Sequence, residues 1–140
     1  MNITGMKGFS LTEMIIAVII LSIMSIFAIP NYFRSIEKQK ERKAEAGVRQ
    51  LGMAANAWRA ATSSGSFSSS NVNTINSTLR TDLTLDAGEG VVVTVQQNAF
   101  LASFTLNNDT KIVGLGDPGG TPWTEPCCTT NNCLTLPNCP

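Results

Sequence analysis

The sequence predicts an α+β chain. A long N-terminal helix, membrane-spanning in one half and amphipathic in the other, packs on a small antiparallel sheet with a disulfide-closed C-terminal loop region. Three observations on the 140 residues predict it. Phe9 to Ile29 is an apolar run with one charge, Glu13. Apolar positions then recur at helical spacing along a charged stretch. Short runs rich in Val, Thr, Phe and Ile follow, and all four Cys lie in the last 14 residues.

Ten basic and ten acidic residues cancel, so no overall basic field exists to draw in nucleic acid, and none is expected as a partner. There is no His. Without imidazole there is no Ser-His-Asp or Cys-His catalytic set and no His-ligated metal, so most familiar routes to an enzyme are closed, and neither catalysis nor a cofactor is expected. The charges are segregated. Residues 34–49 hold six basic residues against three acidic ones, whereas residues 81–140 hold six acidic residues against Lys111 alone.

The apolar run comes first. As a helix, 21 residues reach roughly 31 Å, the depth of a bilayer core. A signal-peptidase cut after Ala28 would place Ile26 where a small residue is wanted, so the run is read as a retained span. Lys and Arg are more numerous after it than before it, which by the positive-inside rule favours a cytoplasmic C-terminal side. The cysteine cluster argues for an oxidising compartment instead, and that placement is adopted.

Lys7, Gly8, Phe9, Ser10, Leu11, Thr12 and Glu13, with the apolar run and Pro30 behind them, resemble the cleavage and methylation site of type IV prepilins and type II secretion pseudopilins. Thr12 departs from the bulky aliphatic residue common there. The resemblance implies a leader of residues 1–8, an assembly helix at 9–30 and an extracytoplasmic part at 31–140. It further implies cutting between Gly8 and Phe9 by a membrane prepilin peptidase, and N-methylation of the Phe9 amine. The subunit would wait in the inner membrane until a platform protein and ATPase extract it into a helical homopolymer, with Glu13 and Phe9 pairing between neighbours. The function implied is that of a structural subunit of a pilus-like filament. A secretion pseudopilin is the nearest alternative, and an anchored binding module that never polymerises is a remoter one.

Glu13 also has a local reading, because Ser10 and Glu13 are spaced as a capping box. A carboxylate at bilayer depth costs about 2.5–3.5 kcal/mol unless paired, which favours a second role in the polymer. Pro30 removes a helical donor opposite Ile26, so a bend is expected there, with Ser22 and Ser25 offering hydroxyls to the preceding turns. Phe9, Phe27, Tyr32 and Phe33 are read as packing residues and not as a conduction path. Downstream, Ile36, Ala44, Gly47, Val48, Leu51, Ala55 and Trp58 form one apolar stripe on a helix ending near residue 62.

Residues 62–78 are rich in Ser, Thr and Asn, fit no periodic pattern and read as an exposed loop; Asn76, Ser77 and Thr78 match a glycosylation acceptor pattern. Strands are expected at 90–96, 99–106 and 111–115, with a turn at Asn107, Asn108 and Asp109, and with Phe100 and Phe104 on the face beneath the helix stripe. The stretch from Gly114 to Pro126 is too rich in Gly and Pro for regular structure, and Trp123 within it is read as a plug on the core. Cys127 and Cys128 are adjacent, and neighbours bridge only with a strained backbone. Two pairings stay open: Cys127 with Cys133 and Cys128 with Cys139, or Cys127 with Cys139 and Cys128 with Cys133. A C-terminal disulfide also agrees with the pilin resemblance. Asp117 and Glu125 are weak calcium candidates; otherwise no metal is expected.

Overall fold

The computed structural model describes residues 10–62, 65–107, 111–117 and 123–140. Two compact units divide the chain, one up to Ile36 and one from Glu37 to Pro140. The first unit holds the start of helix α1, Leu11–Ala61, which contains Pro30. From Leu11 to Phe33 nearly every large apolar side chain is exposed, Phe27 by 70% and Leu11 by 76%.

In the second unit, α1 buries Ala44, Gly47, Val48, Leu51 and Ala55, the positions its periodicity predicts. Trp58 packs at the edge of the same core. Five antiparallel strands follow: β1 (Phe67–Ser69), β2 (Gly90–Val95), β3 (Phe100–Leu106), β4 (Lys111–Gly116) and β5 (Trp123–Cys128). Each pairs with its neighbours in chain order. Val91, Val93 and Val95 alternate inward on β2, as do Ala102, Phe104 and Leu106 on β3. In register, Val91 pairs with Phe104 and Val93 with Ala102, which keeps the apolar set on one face. Phe104 is buried and Phe100 half-buried beside Gly52, so both lie beneath the stripe as their parity predicts. Full burial of each large aliphatic or aromatic side chain contributes about 1.5–3 kcal/mol.

Three expectations need correction. Residues 62–78 are not wholly a loop, since β1 lies there and Val72–Leu79 forms a second helix, α2. Asn71 caps α2 by accepting from the N–H groups of Asn73 and Thr74, and Val72, Ile75 and Leu79 face the core at i, i+3 and i+7. Ser, Thr and Asn are poor helix formers, and burial of this short apolar face overrides them. Second, the sheet has five strands and not three, because β1 adds one edge and β5 the other. β5 carries Pro126 as an edge strand can, and its pairing with β4 shifts register between Gly114 and Gly116. Gly116 has φ of 120°, and a Cβ there would lie 1.9 Å from the carbonyl oxygen of Phe100, so only glycine fits. Third, Trp123 lies against Gly114, where a Cβ would meet its ring at 2.5 Å; it does not plug the core under α1.

At the C-terminus Cys127 bonds Cys139 and Cys128 bonds Cys133, which decides between the two open pairings. The tail folds back along β5: Cys128 N donates to Pro137 O at 2.7 Å, and Cys139 N donates to Cys128 O at 3.0 Å. Asn107 takes a positive φ of 52° as the expected turn begins, while Asn108 and Asp109 lie outside the described residues.

Candidate functional site

At the start of α1, Ser10 N donates to Glu13 Oε2 at 2.9 Å. That is one half of a capping box. The other half is not made, since Ser10 Oγ shares a hydrogen bond with Thr12 Oγ1 at 2.8 Å. Thr12, the residue that departs from the aliphatic pattern, thus holds the Ser10 hydroxyl beside the cap. Glu13 carries the one charge from Leu11 to Phe33, a stretch long and apolar enough to cross a membrane.

Around Pro30 the backbone polar groups find local partners. Ser22 Oγ donates to Val18 O and Ser25 Oγ to Leu21 O, both at 2.7 Å, and Asn31 Nδ2 donates to Phe27 O at 3.2 Å. Pro30 has no N–H to offer the carbonyl of Ile26. Serines that bond back to the i−4 carbonyl weaken the competing helical bond there.

The family model for the prokaryotic N-terminal methylation motif matches residues 4–29. The chain carries a prepilin-type motif. Those residues resemble the N-terminal motif of type IV pilins and pseudopilins, and the motif points to a structural role. The motif and its apolar helix suit a membrane-anchored precursor, and they imply processing by prepilin peptidase. Gly8 and Phe9, the expected cleavage and methylation residues, lie outside the described residues. No curated protein and no solved structure matches the chain.

Outside the prepilin motif, the second unit is organised around a polar centre that the sequence reading passed over. Glu41 is fully buried. Its Oε1 accepts from Lys111 Nζ at 3.0 Å, and both its oxygens accept from Leu134 N at 2.8 Å. Thr135 adds its N–H at 2.9 Å and its hydroxyl at 2.8 Å. One carboxylate on α1 therefore ties β4 and the end of the chain to the helix. Burial pushes the Glu41 carboxyl up. The hydrogen bonds from Leu134, Lys111 and Thr135 outweigh that and hold it below the usual range. A signal was present in the sequence, because Glu41 continues the three-and-four spacing of the stripe and Lys111 is the lone cation among six acidic residues.

A second charged group joins α1 to the turn before β2. Lys43 Nζ lies 2.7 Å from Asp86 Oδ2 and 2.9 Å from Glu89 Oε2, and Asp86 N also donates to Glu89 Oε2. Burial pulls the ammonium of Lys43 down, but its bonds to the two carboxylates outweigh this and raise it. The Lys43 hydrogen bond and charge hold Asp86 below its ordinary value. Glu89 Oε1 is buried with no hydrogen-bond partner among the described residues.

Asp117 and Glu125 are exposed at the end of β4 and on β5, and residues 118–122 between them lie outside the described residues. Among the described residues no group of three or more His, Cys, Asp or Glu side chains is placed to hold a metal ion. Asn76, the candidate glycosylation residue, uses its side chain structurally. Its amide donates to Leu83 O, and its oxygen accepts from Leu83 N and Thr81 Oγ1, all at 2.9 Å.

Proposed function

We propose that the chain is a structural subunit of a type IV pilus-like filament, cut between Gly8 and Phe9, methylated at Phe9 and polymerised through α1. The supporting observation is a lone carboxylate at the head of an apolar helix. Glu13 has one cap bond among the described residues, and a cap plus the helix dipole is worth about 1–2 kcal/mol, less than burial of a carboxylate in apolar surroundings. The Phe9 ammonium of a neighbouring subunit would complete the compensation and set axial register, because a slipped neighbour leaves both charges unpaired. Pro30 and the back-bonded serines mark where α1 would loosen as many helices pack into the filament.

The subunit would pass from the inner membrane to the filament with its globule outside the cytoplasm, drawn out by a platform protein and an ATPase. The test is intact mass of the chain isolated with sheared surface material. A methylated chain beginning at Phe9, together with filaments in micrographs of the producing cells, is the expected result. An uncut Met1 or a start at Ile29 in assembled material overturns the reading. Filaments that never leave the periplasm identify a secretion pseudopilin instead.

A further inference from the structure

The two flanks of the helix stripe carry opposite charge, and the internal ion pairs do not use it up. On one flank, Arg49, Met53 and Arg59 border a groove of about 420 Å³ with Phe100 and Leu115 along it and Trp123 among its lining residues. Glu45 pairs with Arg49 at 3.3 Å, so the groove keeps the charge of Arg59, whose guanidinium bonds the neutral Asn56. On the other flank, Lys43 and Gln50 border a smaller groove with Asp82. There Lys43 serves both Asp86 and Glu89, and the charge of Lys40 also acts on Asp86, so the charge left over is that of exposed Asp82, which has no partner among the described residues. Arg80 lines a separate groove beside α2.

At 100° per residue the two sets of helix positions lie roughly 130° apart, so one copy cannot bring them together. A second copy can. We infer that the Arg59 groove receives the Asp82–Asp86 segment of another copy of this chain, with Asp82 beside Arg59. A patch and its complement at different places on one surface make a head-to-tail contact, which repeats into an open helical array wherever its rotation does not close a ring. The inference rests on the filament reading and adds to it the globule surfaces that meet.

The experiment uses the full chain in the producing cell, with variants first checked for parental melting and two intact disulfides. Arg59→Glu and Asp82→Lys should each lower filament yield about tenfold, and the two together should return it to within about threefold of the parent. A photoreactive benzoyl-phenylalanine at Met53 should cross-link to a second copy within the tryptic peptide Thr81–Lys111. Parental yield from either single variant overturns the assignment, as does a double variant no better than the singles. Cross-links confined to lipid or to other peptides also overturn it. If the parent chain makes no filaments at all, the filament reading itself fails; if it does and the charge variants assemble as well, the groove assignment alone fails.

Discussion

Replacing Glu41 with alanine is the most severe test of the polar centre. The substitution takes the acceptor away from four donors: Lys111 Nζ, Leu134 N, Thr135 N and Thr135 Oγ1. Leu134 and Thr135 are exposed, so water replaces part of what their groups lose. Lys111 is the costly one. Its side chain is 11% exposed, and the remaining carboxylate, Glu37, stands 3.8 Å away and is itself half-exposed. Removing one partner of a buried pair typically costs 3–5 kcal/mol, and Glu37 moderates this, so about 3–4 kcal/mol is expected for Glu41→Ala. For a globule of this size that lowers the melting temperature by roughly 15 °C. Adding Lys111→Met to it should recover at least half of the loss, because the stranded ammonium is then gone. Near-UV circular dichroism of the full chain in detergent follows the melting. A shift under about 3 °C, or losses from the two substitutions that simply add, refutes the reasoning.

The same carboxylate sets a pH dependence. Its folded pKa is lowered, so its stabilisation is fully present above the unfolded value near 4.3 and is lost as pH falls through the folded value. Melting should therefore be flat from neutrality to about pH 5 and fall below it more steeply in the parent than in Glu41→Gln. Glu13→Gln keeps shape and much of the cap, so it should insert and be cut like the parent while filament yield collapses; normal assembly would reduce Glu13 to a helix cap. Cys139→Ser opens the loop closed by Cys127 and should cost about 2–3 kcal/mol, with amide exchange rising from Asn132 to Pro140 and staying unchanged in α1; exchange spreading through α1 would contradict this. Asn76→Ala removes three hydrogen bonds between α2 and residues 81–83 and should lower stability by about 2 kcal/mol, whereas Ser77→Ala, whose hydroxyl bonds Thr74 O within the helix, should be near neutral. Thermal melts in which Ser77→Ala loses as much as Asn76→Ala refute this.

Much of the architecture was legible because it is periodic. Ala44, Val48, Leu51 and Ala55 repeat at helical spacing, and Phe100 and Phe104 share a parity, so the helix face and the sheet face could be matched before any coordinates. What escaped is what periodicity does not encode. Val72, Ile75 and Leu79 are three apolar residues diluted by Ser, Asn and Thr, too few to announce a helix without the core that selects them. β5 is defined by an unfilled edge of β4, a property of its neighbour. The partners of Glu41 lie 70 to 94 residues away, beyond any local pattern. The prepilin-type motif was legible for the opposite reason, since Lys7 to Glu13 is a contiguous signal.

Every strand of the sheet pairs with its neighbours in chain order, so most of the globule can form by short loop closures as the chain is synthesised. The exception is Glu41, which waits for Leu134 and Thr135, and beside them Cys139 waits to close on Cys127. A chain cut short before Leu134 would hold a buried carboxylate with Lys111 as its one strong partner and would leave Cys127 unbridged. The helix that carries Glu13 therefore also carries, 28 residues further on, a carboxylate whose donors come from residues 134 and 135, far along the chain. Copies lacking residues 134–140 would be less stable than the parent, and proteases acting on loosened chains would remove them preferentially.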